Sequence, residues 1–110
     1  MTGILIDSSH VVHSFVRAAD GTITTFDAPD SIGTYAMGMN KEGEIVGYFR
    51  DGSNKAHAFA RSSDGKLKTF DQRHAAGTFA ETIDDGRAPP IVGFYDDSNN
   101  VAHGYLRNAQ

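Results

Sequence analysis

Histidine, aromatic and arginine side chains recur together in this sequence, in a segment that occurs three times. The segments share the pattern His-small-aromatic-apolar-Arg, and they start 44 and then 46 residues apart: His13 to Arg17, His57 to Arg61 and His103 to Arg107. An arginine beside an aromatic ring can bind a carboxylate or sugar hydroxyls through its planar fork while the ring stacks on the ligand. The candidate ligand-binding residues are therefore Arg17, Arg61, Arg107, His13, His57 and His103.

The same side chains can also have structural roles, and these are the interpretation we favour. Asp27 and Asp71 recur in Thr-Phe-Asp segments at the end of the strand that follows the arginine strand. An ion pair from the arginine to Asp27 or Asp71, at the end of the adjoining strand, is therefore expected. Each histidine is expected to pack beside its aromatic neighbour, with its ring nitrogens bonded to the backbone.

Metal binding, cofactor binding and catalysis find little support in these residues. Equivalent positions on neighbouring sheets lie about 10 Å apart, whereas a histidine–zinc bond is about 2 Å long, so the recurring histidines cannot share one ion. The Asp-rich turns at Asp7, Asp51 and Asp97 lack the spacing of a calcium loop and have the composition of hairpin turns. Ser14 beside His13 points to the opposite face of a strand and makes no dyad. We predict no metal, no cofactor and no catalytic residue.

The composition of the chain limits the classes of partner that can be predicted for it. The chain has 110 residues, no cysteine, and ten basic against fourteen acidic residues, which gives a net charge of −4. Its lysines and arginines are dispersed, whereas phosphate binding needs clustered cations, so nucleic acid is not predicted as a partner. No apolar run approaches the roughly 20 residues of a spanning helix, so no membrane association is predicted either.

The elements that position these residues repeat with them. Asp20-Gly21, Thr25-Phe26-Asp27 and Gly33-Thr34-Tyr35-Ala36 recur 44 residues later, and Ile45-Val46-Gly47-Tyr48 recurs 46 residues later. We predict one repeat domain over residues 1–110, with a partial unit at 1–30, a full unit at 31–74 and a partial unit at 75–110.

Each unit is predicted to hold four short strands, a to d. In the full unit they are Thr34 to Asn40, Glu44 to Arg50, Ala56 to Arg61 and Lys66 to Asp71, separated by glycine and Asp/Asn turns that are typical of hairpins. The predicted order of strands along the chain is therefore b-c-d, a-b-c-d, a-b-c, which gives ten strands.

Both faces of the predicted strands are largely apolar. On strand c, His57, Phe59 and Arg61 share one face while Ala58 and Ala60 share the other. This pattern favours sheets that lie between neighbouring sheets. The predicted fold is all-β, with four-stranded antiparallel repeats in a β-propeller-like arrangement; the alternative is a ten-stranded up-and-down β-barrel with an interior ligand site.

These motifs resemble the bacterial extracellular HAF repeats, named for the triplet that stands here as His57-Ala58-Phe59. The resemblance covers nearly the whole chain and departs at residues 81–87, where the regular approach to the turn is lost. It implies propeller-like repeats and an extracellular or cell-surface location. The first ten residues lack the pattern of a signal peptide, so a cytoplasmic location stays open.

Two functions from different classes follow from these residues. The first is a non-enzymatic ligand-binding module in a homo-oligomer of two or more copies. Carbohydrate is its expected ligand class, because repeated weak sites gain avidity. The alternative is a small-molecule-binding protein or an enzyme, with one site at a subunit interface or inside a barrel. That site would use residues that break the repeat, which are His10, His74, Glu81 and Arg87.

Overall fold

A computed structural model describes residues 1–86 and 89–108 and shows an all-β protein. The described residues form ten strands and contain no helix that is long and apolar enough to cross a membrane. The strands are β1 (Thr2–Ile6), β2 (Val12–Arg17), β3 (Ile23–Phe26), β4 (Gly33–Met39), β5 (Ile45–Arg50), β6 (Ala56–Arg61), β7 (Leu67–Phe70), β8 (Gly77–Ile83), β9 (Pro90–Asp96) and β10 (Ala102–Asn108).

The strands form three antiparallel sheets in which each strand pairs with its neighbours in the chain. The first sheet holds β1 to β3, the central sheet β4 to β7 and the third sheet β8 to β10. This confirms the predicted order of ten strands in groups of three, four and three. The alternative of one ten-stranded barrel is wrong, because the strands are divided among three separate sheets. The propeller-like arrangement of these sheets stays a prediction.

Strand boundaries follow the turn residues closely. Strand c of the full unit runs from Ala56 to Arg61, as predicted, while strand d is shorter by one residue at each end. Pairing also continues into the stretch where the resemblance departs, since Ile83 on β8 still pairs with Ile91 on β9. Both a strands carry a bulge, at Met37 and at Glu81, where the register shifts by one residue.

The core consists of two apolar layers on either side of the central sheet. We call the face that a sheet turns to the next sheet in chain order its forward face, and the opposite one its backward face. On the third sheet, the backward face is the one against the central sheet, and the forward face is the one turned away from it. Val46, Ala58 and Phe70 on the forward face of the central sheet pack against Ile83 and Ile91 of the third sheet. On the backward face, Ile45, Phe49 and Phe59 pack with Ala28, Val16 and Phe26. The predicted burial of both faces is therefore confirmed for the central sheet.

The central and third sheets approach each other closely at their a strands. A Cβ atom added to Gly38 on β4 would lie 2.8 Å from the carbonyl oxygen of Glu81 on β8. Next to it, Asn40 Nδ2 donates to the carbonyl oxygen of Asp84 at 3.0 Å. The two sheets are thus in contact at their a strands, while a groove lies beside the c and d strands of the central sheet.

The connections between sheets use the same hydrogen bond twice. The Thr34 hydroxyl accepts from Ala28 N–H at 3.0 Å, and the Thr78 hydroxyl accepts from Gln72 N–H at the same distance. Both threonines are buried, with 0% and 2% of their surface exposed. The Gly-Thr-aromatic-Ala motif therefore anchors strand a to the loop that precedes it.

Candidate functional site

Each recurring histidine is bonded to an aspartate in the turn that precedes its strand. Asp7, Asp51 and Asp97 each stand six residues before their histidine, and the distance from Nε2 to carboxylate Oδ2 is 2.7, 2.7 and 2.8 Å in turn. The other oxygen of each aspartate holds the turn. Asp51 Oδ1, for example, accepts from the N–H groups of Ser53 and Lys55. One carboxylate thus shapes the hairpin and fixes the histidine.

Two of the histidines are held from both sides. His13 Nδ1 lies 2.8 Å from Asp27, and His57 Nδ1 lies 2.8 Å from Asp71. A carboxylate only accepts hydrogen bonds, so an imidazole between two carboxylates satisfies both when both of its nitrogens carry protons. The expectation that the ring nitrogens bond to the backbone is wrong for these residues, because their partners are aspartates.

The electrostatics of these clusters agree with a protonated histidine. Burial opposes the charge of His57, but the hydrogen bonds to Asp51 and Asp71 outweigh it and raise the pKa of His57 above its ordinary value of 6.5. The bond from His57, together with the N–H of Lys55, lowers the pKa of Asp51 to about 2. His13 shows the same upward pKa shift, caused by its bonds to Asp7 and Asp27.

The aromatic partner of the histidine differs from the one expected. His57 stacks on Phe49 of the adjacent strand, with ring centroids 5.2 Å apart, and His103 stacks in the same way on Tyr95 at 5.0 Å. The aromatic residue within the triplet, Phe59, is instead fully buried between the sheets. His57 therefore has structural partners on three sides, namely Asp51, Asp71 and Phe49.

The arginines do not pair with the aspartates that were predicted for them. Arg61 places its guanidinium carbon 4.7 Å from the ring centre of Phe26, and Arg107 does the same over Phe70 at 4.5 Å. Each of these rings belongs to strand d of the preceding sheet. The predicted ion pairs with Asp27 and Asp71 are wrong, since those aspartates bond the histidines. Arg61 and Arg107 therefore connect neighbouring sheets through cation–π contacts.

Histidine and arginine lie at opposite ends of the same strand. His57 and Arg61 are four residues apart on β6, which corresponds to about 13 Å along an extended strand. The structure therefore does not bring the six predicted residues into one site. It places the histidines beside the b–c turns and the arginines beside the c–d turns.

A groove of about 340 Å³ lies between the central and third sheets at the arginine end. Its lining includes the buried side chains of Phe70, Ile83 and Ile91. The exposed side chains of Lys66 and Arg107 also line it. Half-buried Arg61 and Glu44 complete the charged part of the lining, along with Lys68. The groove thus combines an apolar floor with an excess of positive charge.

A second groove, of about 600 Å³, occupies the equivalent place between the first and central sheets. Its lining includes Val16, Arg17 and Met39, which are the counterparts of Ala60, Arg61 and Ile83 in the other groove. Arg61 lines both grooves. Each groove therefore contains two successive members of the recurring arginine set.

Sequence analysis missed most of the groove lining. Ile83 and Ile91 belong to the third sheet, and their position opposite Arg61 depends on how two sheets pack. Lys66 was assigned only to a strand, and its counterpart in the first unit is Thr22, so the repeat gives no signal for it. The apolar alternation of β8 and β9 indicated burial, but it could not indicate a groove.

The residues that break the repeat do not gather into a site in the described part of the chain. His10 and His74 adopt left-handed backbone conformations, with φ of 64° each, and His10 takes the turn position that Asn54 and Asn100 occupy in the other units. Glu81 is the exposed bulge residue of β8, and Arg87 lies outside the described residues. Within residues 1–86 and 89–108, no group of three or more His, Cys, Asp or Glu side chains could hold a metal ion.

Comparison with known proteins found no matching family model, no matching curated protein and no matching solved structure. The resemblance to HAF repeats, and the extracellular location that it implies, therefore stay predictions.

Proposed function

We propose that this chain is a non-enzymatic ligand-binding module whose inter-sheet grooves bind acidic carbohydrate. The observation that carries the proposal is the groove between the central and third sheets. There, Arg61 and Arg107 stand beside an apolar floor in a volume of about 340 Å³. Binding sites for small ligands have volumes of about 300–1,000 Å³ and combine apolar walls with a few polar groups.

The chemistry of the lining favours a sugar that carries a carboxylate. A guanidinium group offers paired donors that match a carboxylate or two neighbouring hydroxyls. The C–H face of a sugar ring can pack on Ala60 and Leu67, the half-buried apolar residues of the lining. Although the whole chain is acidic, the groove gathers Arg61, Lys66 and Arg107 against the single acidic residue Glu44. This local charge favours an anionic ligand over a neutral one.

The recurrence of the groove supports a binding role over a catalytic one. Two grooves stand in equivalent places, and each contains two of the recurring arginines. Several weak sites on one chain raise the apparent affinity for a polymer, because the second contact forms at high effective concentration. A catalytic site would need an acid–base pair near the groove, and the repeated His–Asp clusters lie at the other end of the strands.

The alternative of an enzyme or small-molecule binder with one site has no particular observation in its favour. Its barrel form is wrong, because the strands form three sheets. Its interface form would use irregular residues, of which His10 and His74 serve as turn residues.

Calorimetric titration with a galacturonic acid oligomer tests the proposal, with a neutral galactose oligomer as the comparison ligand. We expect the acidic oligomer to bind and the neutral one to bind much more weakly. Hydrogen bonds to charged groups contribute about 1.5–3 kcal/mol each, so Arg107→Ala should weaken binding by about tenfold or more. Higher salt should weaken it further, since exposed charges are screened.

Arg73→Ala is the matched control, because Arg73 is an exposed arginine that does not line either groove. This variant should bind like the wild-type protein. Equal weakening by Arg73→Ala and Arg107→Ala would indicate non-specific attraction and would contradict the proposal. Absence of binding to every acidic oligosaccharide on a glycan array would contradict it as well.

A further inference from the structure

We infer that the two outer sheet faces of this chain dock onto each other between copies, so that the forward face of the third sheet covers the backward face of the first sheet of a second copy. The inference concerns assembly and is independent of the ligand that the grooves bind. It rests on the comparison of equivalent positions in the three sheets.

The central sheet shows what these positions do when they are covered. Val46 and Ala58 on its forward face are 0% exposed, and so is Phe59 on its backward face. The residues that cover them come from the neighbouring sheets of the same chain. One chain therefore contains the forward-to-backward contact twice, once between each pair of neighbouring sheets.

The same positions are uncovered on the two outer sheets. On the forward face of the third sheet, Val92 takes the place of Val46 and is 43% exposed, and Leu106 takes the place of Ala60 and is 69% exposed. On the backward face of the first sheet, Leu5 takes the place of Phe49 and is 37% exposed, while Ile23 takes the place of Leu67 and is 58% exposed.

We expect these two surfaces to be complementary, because a forward face already packs against a backward face at both contacts between sheets inside the chain. The third sheet has strands a, b and c, and the first sheet has strands b, c and d, so the contact between copies would rest on the b and c strands that both sheets contain. Leu106 lies on strand c of the third sheet, and Leu5 lies on strand b of the first sheet.

The partner surfaces differ from each other, so the contact is head-to-tail. Head-to-tail contacts close into a ring when the rotation between copies allows it, and extend into a filament otherwise. Two copies contain six sheets, which is within the range of about four to eight blades in known closed arrangements of stacked sheets. A ring of two copies is therefore the smallest closed assembly that the contact can make.

The test combines light scattering with a mixing experiment on the full chain. The wild-type protein should have at micromolar concentration a mass of at least twice the monomer mass of 11.8 kDa. Leu106→Glu changes only the forward surface and Leu5→Glu only the backward surface. Each variant alone should be monomeric, because every contact needs both surfaces intact. An equal mixture should again form dimers, through the intact surface of each variant.

The outcome separates head-to-tail docking from other assemblies. A symmetric contact of one face with itself would leave one of the two variants dimeric alone, and that result would overturn the inference. A monomeric wild-type protein would overturn it too. Val101→Glu is the control, because Val101 is 52% exposed but lies in the β9–β10 turn, and this variant should keep the wild-type mass. Since all three residues are exposed, each variant should melt like a folded protein.

Discussion

His57 Nε2 lies 2.7 Å from Asp51 Oδ2, across a hairpin turn that the other oxygen of Asp51 holds in place. A single pair thus links a turn to the strand that follows it, and Asp71, which directly follows β7, bonds the remaining ring nitrogen. Three consecutive elements of one sheet meet at this imidazole.

The charge of this cluster predicts a window of pH in which it stabilises the fold. Because the pKa of His57 is raised, its contribution is full below 6.5 and is lost as the pH rises through the folded-state pKa. Because the pKa of Asp51 is lowered to about 2, its contribution is full above 3.8 and is lost as the pH falls toward 2. We expect the melting temperature of the wild-type protein to exceed that of His57→Gln most between these limits, near pH 5.

His74→Asn is the control, because asparagine is also suited to the left-handed turn. The difference in melting temperature between the wild-type protein and His74→Asn should not peak near pH 5. A His57→Gln difference independent of pH would contradict the charged pair.

Truncation of the buried aromatic residue should reveal how completely the central sheet is covered. Phe59 is 0% exposed, and Phe59→Ala should lower the free energy of unfolding by about 3–5 kcal/mol. Phe15 holds the equivalent position on the first sheet and is half-buried. Phe15→Ala should therefore have a smaller effect when urea unfolding is measured in dilute solution. Equal losses would mean that the backward face of the first sheet is also covered there.

A double-mutant cycle should locate the partner of Arg61. Its guanidinium lies over Phe26 of the first sheet, and such contacts contribute about 0.5–2 kcal/mol. Arg61→Ala and Phe26→Leu should therefore show a coupling energy in that range. Arg61→Ala and Asp71→Asn should be additive within about 0.5 kcal/mol, because Asp71 bonds His57 instead. A coupling energy between Arg61 and Asp71, with none between Arg61 and Phe26, would show that the ion pair exists and would contradict the structure.

The glycine of the Ile-Val-Gly-aromatic motif should not tolerate a methyl group. A Cβ atom on Gly47 would lie 2.0 Å from the carbonyl oxygen of Tyr35, which belongs to the backbone of the bulged strand. Gly47→Ala should therefore cost near the upper end of about 1–3 kcal/mol, measured by thermal unfolding. Gly52→Ala is the control, since no atom lies within 4 Å of its added Cβ, and it should change stability by no more than about 0.5 kcal/mol. A tolerated Gly47→Ala would mean that the two strands separate easily.

Local features of the sequence were sufficient to predict the strands and their order. The turn residues around Gly65 and Asn54 predict hairpins from only a few positions. The repeat supports each of these predictions, because equivalent turn residues occur in a second unit. The histidine partners were missed because Asp51 was assigned to the turn alone, although its two oxygens allow two roles.

The partners of the arginines and the grooves depend on contacts between sheets. Nothing in the spacing of Phe26 and Arg61 states that strand d of one sheet faces strand c of the next. The alternation of apolar residues indicates that a face is covered, but it does not indicate by which residues or with what lateral offset. Groove residues such as Lys66 become visible only when that offset is known.

The threonine hydrogen bonds between sheets favour evolution of this chain by gain or loss of whole sheets. Thr34 and Thr78 make the same bond to the loop before them, and the two bonds are 44 residues apart. A genetic duplication or deletion of one such segment would therefore join an equivalent loop to an equivalent strand, whatever its starting point within the unit. The gene could gain or lose a whole sheet in one event while the junction retains its native hydrogen bond. Selection would then act on the number of grooves, because each new junction is already compatible with the fold.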